Sequence, residues 1–296
     1  MNTIVECIPN FSEAREPIIM DRIANEIGQI KGIKLANRHS DLDHNRTVLT
    51  LLGKPDPIAE AAFLGAKLAS ELIDLEKHTG QHPRIGALDV LPFVPLQSAP
   101  MKVCIDLAHT VGKRIGEELH IPVYCYGEAA LESERKALEN IRRGEYELLK
   151  KTIAENPEKK PDFGPCFLGP AGAVAIGART PLIAFNVFLD TSDIKIARKI
   201  ARMVRFSSGG FPAIKALGLS VAGKAQVSMN FTDYTVTNVP TVLSKIRLEA
   251  ERMGTTISHS ELVGLAPGDA FLDSTAETLY LPELTDDMFI ETYINQ

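Results

Sequence analysis

The order of apolar and polar positions in the first half of the chain predicts strands and helices in alternation. Isoleucines at helical spacing predict a helix over residues 17–30, and a longer apolar series predicts a second helix over 56–75. A third helix is expected at 101–119. Runs of β-branched and aliphatic residues predict strands at 3–8, 33–36, 46–52, 90–96 and 123–126.

The second half of the chain has the same order of elements, without a residue-level repeat. Its pattern predicts a strand at 180–189, a helix at 194–203, a hairpin of 216–222 and 225–231, a helix at 239–253 and a strand at 255–259. Both halves thus have the order β-α-β-β-α-β of a split-βαβ, ferredoxin-like unit.

The segment between the two halves is more polar. Residues 131–142 and 145–155 predict charged amphipathic helices, and the Pro-rich stretch 156–165 predicts a loop or linker. We therefore expect an α+β protein of two ferredoxin-like subdomains, residues 1–178 and 179–296. Their sheets should be mixed or antiparallel, with helices on the outer faces.

Composition indicates the class of protein and its compartment. The chain has 296 residues, of which 45% are hydrophobic and 24% charged, as in an ordinary soluble globular protein of two domains. The uncharged stretch 163–178 is too short and too broken by glycine and proline to span a bilayer, and the first residues lack the basic region of a signal peptide. Four separated cysteines without CxxC pairs indicate reduced thiols. We expect a cytoplasmic protein that binds no membrane.

The net charge of −6 argues against a nucleic-acid binder, which would show a basic excess. It leaves room for anionic small substrates that are held by a few placed arginines.

Residues 39–46 carry more polar side chains than a turn requires, so both a solvated turn and a functional loop explain them. Aspartate and histidine also bind metals, but their spacing here fits no metal motif, and we expect no metal. The candidates are His39, Asp41, Asp43, His44, Asn45 and Arg46.

A second candidate cluster follows the helix predicted at 56–75. A histidine such as His82 titrates near neutral pH and can move a proton. Arg84 offers a bidentate clamp for a carboxylate, and Asp89 can orient an imidazole or bind a substrate nitrogen. Gly80 and Pro83 disfavour a continued helix. Histidines in this segment therefore need not share a helix face, which disfavours a zinc site built on two of them. The alternative is a capping loop in which these side chains are merely exposed.

Two further segments carry candidate binding residues. The glycine-rich stretch 163–179 is neither a P-loop nor a dinucleotide fingerprint, so it is either a linker with turns or a loop that closes over a planar ligand. Its candidate residues are Gly164, Pro165, Gly169, Gly172 and Arg179. Polar and apolar residues alternate over 226–232, which gives a strand with one polar face that includes Asn230.

Together these segments resemble the glutamate formimidoyltransferases, the formiminotransferase domain family of histidine breakdown. The resemblance covers almost the whole chain, apart from about the last fifteen residues, and its motifs follow one another in order. They are Val5–Glu13, His44–Val48, His82–Asp89, Pro122–Ala129, Pro161–Pro165, Gly177–Arg179, Leu182–Asn186, Gln226–Asn230 and Glu261–Gly264.

The resemblance implies an enzyme that moves a formimidoyl group from N-formimidoyl-glutamate to tetrahydrofolate, with tetrahydrofolate as co-substrate. It implies a pair of ferredoxin-like subdomains with a cleft between them, a homodimer, and ring closure by a separate cyclodeaminase. The family's catalytic histidine falls on His82. The family's folate segment falls on Gly164–Gly172, and it is about one residue shorter here than in the animal enzymes. His39 stands where the family has an acidic residue, so Asp41 or Asp43 is expected to serve instead.

The expected chemistry is direct group transfer without a metal or a covalent enzyme intermediate. His82 takes the proton of folate N5, the carboxylates Asp41 and Asp43 stabilise a cationic intermediate, and Arg46, Arg84 and Arg179 form a positive cleft for the anionic substrates. The alternatives are formyl transfer between 5-formyl-tetrahydrofolate and glutamate, a non-catalytic folate-binding protein, and a metal-dependent hydrolase built on residues 41–44.

Overall fold

The computed structural model describes residues 3–80, 83–96, 99–272 and 274–294. The chain divides into two compact units, Met1–Arg179 and Thr180–Gln296. Both contain helices and sheet, so the predicted α+β class is confirmed. In the described ranges, no helix is long and apolar enough to cross a membrane.

The first unit is built on one mixed sheet. Its strands are β1 (Ile4–Cys7), β2 (Asn10–Phe11), β3 (Ile33–Asp41), β4 (Arg46–Gly53), β5 (Leu88–Leu96), β6 (Val123–Gly127) and β7 (Val174–Ala178). Across the sheet, β3 pairs with β4, and β1 and β2 both lie between β4 and β5 in antiparallel pairing. Beyond β5 the sheet continues with β7 and then β6, which are parallel.

Three long helices cover one face of this sheet. They are α1 (Pro17–Gly28), α2 (Pro55–Leu72) and α3 (Met101–Glu118). Prolines in the first turn of α1 and α2 suit a position whose N–H has no partner within the helix. Their apolar sides pack with Val5, Cys7, Leu49, Leu51 and other alternate strand residues into the main core. Since side chains alternate along a strand, the residues between them face the other way.

A shorter layer covers part of that other face. It contains α4 (Leu138–Ile141) and α5 (Glu145–Thr152), with Gly144 in the left-handed conformation between them (φ 87°). Ile141, Leu149 and Ile153 pack here against Tyr124 and Tyr126 of β6. Polar groups of the same sheet face lie beside this small apolar cluster.

The second unit is a four-stranded antiparallel sheet with two long helices. Its elements are β8 (Ile183–Leu189), α6 (Ile194–Val204), β9 (Ile214–Val221), β10 (Lys224–Phe231), α7 (Val239–Arg252), β11 (Ile257–Val263) and the short α8 (Glu291–Ile294). The strands lie in the order β11-β8-β10-β9. Asp193 and Asn238 cap α6 and α7 by accepting hydrogen bonds from Lys195 N–H and Thr241 N–H.

Three parts of the fold differ from the prediction. A single helix at 131–142 is wrong, because Ala137 is extended and separates a 3-10 turn, Ser133–Lys136, from α4. The strand predicted to end at 36 continues to Asp41, since its edge position allows polar side chains to stay in solvent. Finally, β7 lies in the glycine-rich stretch, for which the sequence predicts a linker or loop, but it is an interior parallel strand.

Candidate functional site

The face of the first sheet that points away from α1, α2 and α3 carries several charged side chains. Val5 and Cys7 belong to the main core, so Glu6 between them points to the opposite face. By the same alternation Arg46 precedes Leu49 and Leu51 on β4, and Tyr126 follows Cys125 on β6, so both point to this face as well. We call it the charged face.

Three arginines meet around Tyr126 on the charged face. Arg179 lies within hydrogen-bonding reach of the Tyr126 phenol, and Arg142 interacts electrostatically with the same group. Burial raises the pKa of Tyr126, against the effect of these two cations, so the phenol keeps its proton. Arg46 interacts with both Arg142 and Tyr126. Burial and the neighbouring Arg142 lower the pKa of Arg46 to about 10, which leaves it charged at neutral pH. We call Arg46, Arg142 and Arg179 the arginine cluster.

Asp89 forms an ion pair with Arg142 of the arginine cluster. Its side chain is 3% exposed, and its Oδ2 accepts a hydrogen bond from the guanidinium of Arg142. Its Oδ1 accepts one from the backbone N–H of Ile85 at 2.8 Å. Asp89 therefore contacts a guanidinium and the backbone, rather than the imidazole that we considered from the sequence.

Glu6 is an acid on the charged face that is not among the site residues predicted from the sequence. It is 4% exposed, and burial raises its pKa to about 7, although Arg179 works in the opposite direction. A carboxyl group with this pKa holds a proton about half of the time at neutral pH. The signal was present in the sequence as one glutamate inside an otherwise apolar strand.

Asp41 and His44 form a pair at the turn between β3 and β4. Nδ1 of His44 lies 2.5 Å from Oδ2 of Asp41, and the His44 backbone N–H donates to Oδ1 at 2.9 Å. Burial raises the pKa of Asp41, but the hydrogen bonds from His44 outweigh it and lower the value to about 2. Asp41 is thus ionised at neutral pH, whereas Asp43 is exposed on the turn. His39 lies on β3 opposite Val48.

Asn45 joins three segments of the first unit. Its backbone has the left-handed conformation (φ 49°), which asparagine adopts more readily than most residues. Its side chain accepts a hydrogen bond from Ala14 N–H at 2.9 Å and donates one to the carbonyl of Thr79 at 3.1 Å. Its own carbonyl lies 3.1 Å from Nε2 of His78. Asn45 therefore has a structural task in the segment that follows α2.

Arg84 is paired within the fold. Its Nε donates to Nδ1 of His78 at 3.0 Å, and its two terminal nitrogens contact Glu145 at 3.3 Å and Glu147 at 2.7 Å. Its charge is thus already compensated by two carboxylates. The arginine that joins Arg46 and Arg179 around Tyr126 is Arg142, which the sequence interpretation did not single out. His82, the expected general base, lies outside the described residues.

The glycine-rich segment is fixed at both ends. Phe163 pairs with Val123, and the carbonyls of Pro170 and Ala171 accept from Leu75 N–H and Ala87 N–H at 2.9 and 2.8 Å. Gly164 (φ 83°) and Gly172 (φ 70°) both need to be glycine, because a Cβ there would lie 2.4 Å and 2.2 Å from backbone carbonyl oxygens.

The middle of that segment is open. A Cβ on Gly169 would have nothing within 4 Å, Cys166 is exposed, and the Phe167 side chain is 60% exposed. Pro165 is half-buried. A ligand can therefore approach residues 165–169, whereas Gly164 and Gly172 serve the packing of the segment itself.

Asn230 lies in the second unit, where it is exposed on β10 opposite Ala184 and Lys215. On β8 and β11, which pair with each other, Asn186 Nδ2 donates to Oε2 of Glu261 at 3.0 Å. No group of three or more histidine, cysteine, aspartate or glutamate side chains that could hold a metal ion occurs within the described ranges.

Two family profiles match consecutive parts of the chain. Residues 4–179 match the N-terminal subdomain of the formiminotransferase domain, and residues 184–291 match the formiminotransferase domain. The chain belongs to the formiminotransferase family.

Relatives in this family match over nearly the full chain. The chain is 44% identical to a glutamate formimidoyltransferase of Thermoplasma acidophilum, over 98% of this chain and 96% of that protein. It is 42% identical to a glutamate formimidoyltransferase of Streptococcus pyogenes, over 92% of both. A chicken formimidoyltransferase-cyclodeaminase is 41% identical over 93% of this chain but only 52% of its own length. The formiminotransferase resemblance inferred from the sequence motifs is thus confirmed.

Proposed function

We propose that this chain transfers a formimidoyl group from N-formimidoyl-glutamate to tetrahydrofolate, which yields 5-formimidoyl-tetrahydrofolate and glutamate. The observation that carries the proposal is the 44% identity to a glutamate formimidoyltransferase over 98% of the chain. The arginine cluster supports it, because both substrates carry carboxylates and guanidinium groups pair with carboxylates in a bidentate manner.

The transfer is a substitution at the amidine carbon. N5 of tetrahydrofolate forms a bond to this carbon and gives up its proton, and the bond from the carbon to the glutamate nitrogen then breaks as that nitrogen takes a proton. His82 is the proposed base for the first proton, a role worth about two to four powers of ten in rate. Attack on the amidinium form places the positive charge on N5 of the tetrahedral adduct. Loss of the N5 proton makes the adduct neutral, and protonation of the glutamate nitrogen makes it a cation again before the bond to that nitrogen breaks.

Asp41 is the better placed of the two proposed acids for stabilising that cation. Its pKa of about 2 keeps it ionised throughout the neutral range, and it is half-buried, so its charge is screened less than that of exposed Asp43. Arg46 and Arg179 bind substrate carboxylates. Arg84, His44, Asn45 and Asp89 are proposed to act indirectly, because their hydrogen bonds hold the β3–β4 turn, the segment after α2 and the arginine cluster. His39 stays a proposed substrate contact.

Tetrahydrofolate is a substrate rather than a resident cofactor, and residues 164–172 are proposed to hold it. The open middle of that segment supports this, since Gly169 leaves space and Phe167 exposes an aromatic ring that can pack on a planar ligand. Asn230 of the second unit is proposed as a further folate contact. No step needs a metal.

Both units are proposed to be ferredoxin-like. In the second unit, the strands of the β-α-β-β-α-β series lie in the order fourth, first, third, second. The first unit has the same order if β1 and β2 count as one interrupted strand, and β7 and β6 then extend the sheet beyond β5.

We further propose a cytoplasmic homodimer whose product passes to a separate cyclodeaminase, with residues 1–178 and 179–296 as the two subdomains.

The proposal is tested by incubating the purified protein with tetrahydrofolate and either formimidoyl-glutamate or formyl-glutamate. Formation of 5-formimidoyl-tetrahydrofolate from the first donor supports the proposed function. If formyl-glutamate is turned over and formimidoyl-glutamate is not, formyl transfer is supported instead. Tight folate binding without product from either donor supports a folate-binding protein, and activity that is lost to a chelator supports the hydrolase.

A further inference from the structure

We infer that Arg142 is a substrate-binding residue that takes a carboxylate of a glutamyl group, together with Tyr126 and the rest of the arginine cluster. This inference deepens the proposed function and rests on it for the identity of the substrates. Both proposed substrates have a glutamyl dicarboxylate, one in the formimidoyl donor and one in the tail of the folate.

The position of Arg142 is the first argument. It caps the C-terminal end of α4, two residues before the left-handed Gly144, and thus belongs to the layer that covers part of the charged face. Its side chain is 14% exposed and extends to Asp89 of β5. Its neighbour Arg143 is exposed and contacts only Asn140 among the hydrogen-bond partners that the described residues provide. Two adjacent arginines therefore have opposite environments.

The balance of charge is the second argument. Asp89 is the buried carboxylate that neutralises Arg142, and Asp41, which also interacts with Arg46, is already hydrogen-bonded to His44. Glu6, the acid that interacts with Arg179, is protonated about half of the time at neutral pH. Arg142 and Arg46 lie close enough to repel each other, and a substrate carboxylate beside them would offset this repulsion.

The hydrogen-bonding capacity is the third argument. Nε of Arg142 is buried and has no hydrogen-bond partner in the part of the chain that the structure describes. Tyr126 remains a neutral phenol, and its O–H can donate to a carboxylate oxygen while its own oxygen accepts from Arg179. A carboxylate beside these groups would accept two hydrogen bonds from a guanidinium group and one from the phenol. This arrangement favours a planar anionic group.

The test compares Arg142→Gln with Arg142→Lys and with the matched control Arg143→Gln. The KM values for formimidoyl-glutamate and for tetrahydrofolate are measured separately for each variant, with thermal unfolding as the check on folding. Arg142→Gln is expected to raise one of the two KM values about 10- to 100-fold, the effect of a lost charged hydrogen bond. Arg142→Lys should recover only part of it, since lysine lacks the planar fork, and Arg143→Gln should leave both values unchanged.

Substrate analogues identify the source of the carboxylate. If it comes from the donor, formimidoyl-glutamine should bind wild type and Arg142→Gln equally well. If it comes from the folate, tetrahydropteroate, which lacks the glutamyl tail, should show this equality. If Arg142→Gln folds and neither KM changes by more than about threefold, the inference is wrong.

Two further measurements keep the inference separate from the proposed function and from a folding defect. Calorimetric binding of glutamate and of folate needs no turnover, so a loss of binding in Arg142→Gln would support the inference even if the wild-type protein transferred nothing. If Arg142→Gln does not fold, Asp89→Asn with Arg142→Gln removes both members of the ion pair. Wild-type affinity for both ligands in that folded double variant would overturn the inference.

Discussion

Arg84 donates a hydrogen bond from Nε to Nδ1 of His78, at 3.0 Å, and the two residues thereby close the segment that follows α2. The bond requires a neutral imidazole, since a protonated ring has no acceptor nitrogen. The hydrogen stays on Nε2, which donates to the carbonyl of Asn45 at 3.1 Å. Burial is the main reason that the pKa of His78 is lowered, and the positive charge of Arg84 acts in the same direction. His82, the proposed base, comes in the chain between these two residues.

The His78–Arg84 bond predicts a pH-dependent stability. The unfolded chain binds a proton at His78 below about pH 6.5, whereas the folded chain resists it because the pKa is lowered. The free energy of unfolding should therefore fall as the pH drops below 6.5. His78→Asn removes the titrating group and should flatten this part of the profile, as measured by urea unfolding between pH 5 and 8. His120→Asn serves as the control for another histidine, and an equal effect of both variants would contradict the prediction.

Replacing Arg84 by lysine tests its structural role. Lysine cannot contact His78 and Glu147 together, so the free energy of unfolding should fall by about 1–2 kcal/mol. The control is Lys77→Gln, because the Lys77 side chain is 85% exposed. If Arg84 were chiefly a substrate clamp, Arg84→Lys would raise a KM and leave stability unchanged.

The raised pKa of Glu6 predicts a loss of stability as the pH rises, opposite in sign to the effect of His78. Its pKa is about 7 in the folded chain against an ordinary 4.5, so the folded state binds the extra proton between these values and loses stability as the pH rises through them. Above pH 7 the cost reaches roughly 3 kcal/mol. Glu6→Gln removes this cost, so the variant should be more stable than wild type at pH 8, with little difference near pH 4.5. A variant that is less stable at pH 8 would show that ionised Glu6 contributes favourably.

The two glycines Gly169 and Gly172 predict different outcomes of the same substitution. Gly172→Ala should destabilise the chain by at least about 2 kcal/mol, because a Cβ would lie 2.2 Å from the Ile85 carbonyl oxygen at a positive φ. Gly169→Ala should change stability by less than about 0.5 kcal/mol, as the space around it is open. If the middle of the segment holds folate, Gly169→Ala should instead raise the KM for tetrahydrofolate. An unchanged KM would argue against folate at this residue.

Asp41 is expected to act on the rate rather than on binding. Asp41→Asn removes a charge that is present at neutral pH, so kcat should fall by about ten- to a hundredfold with smaller changes in KM. Asp43→Asn, at an exposed position of the same turn, is the matched control and should retain near wild-type kcat. Equal losses in the two variants would mean that the turn as a whole, and not the Asp41 charge, matters.

The sequence could predict elements whose periodicity is regular, and it missed those in which polar or small residues interrupt it. The helices α2 and α7 begin and end within a few residues of their predicted limits. By contrast, β7 contains Gly177, and its neighbours in sequence are rich in glycine and proline, so its burial between β5 and β6 was hidden. The interior position of β7 results from pairing with strands that are distant in sequence, and no local pattern of residues encodes such pairing.

The same limit applies to the candidate site. His44, Asp41 and Arg46 form a compact sequence cluster, so their proximity could be predicted. Arg142 lies in a charged helical stretch beside Arg143, and only the tertiary structure separates the half-buried residue from the exposed one. Arg84 illustrates the reverse, because its motif suggested a substrate clamp while the fold places two glutamates against it.

The most direct test of the account follows the transferred carbon itself. Formimidoyl-glutamate labelled with ¹³C in the formimidoyl group is mixed with the protein and tetrahydrofolate, and the label is followed by NMR. We expect one labelled carbon on N5 of the folate for every glutamate released, and no transfer above background with His82→Ala. Label that remains on glutamate, or that leaves as free formamide or formate without reaching folate, would contradict formimidoyl transfer by this chain.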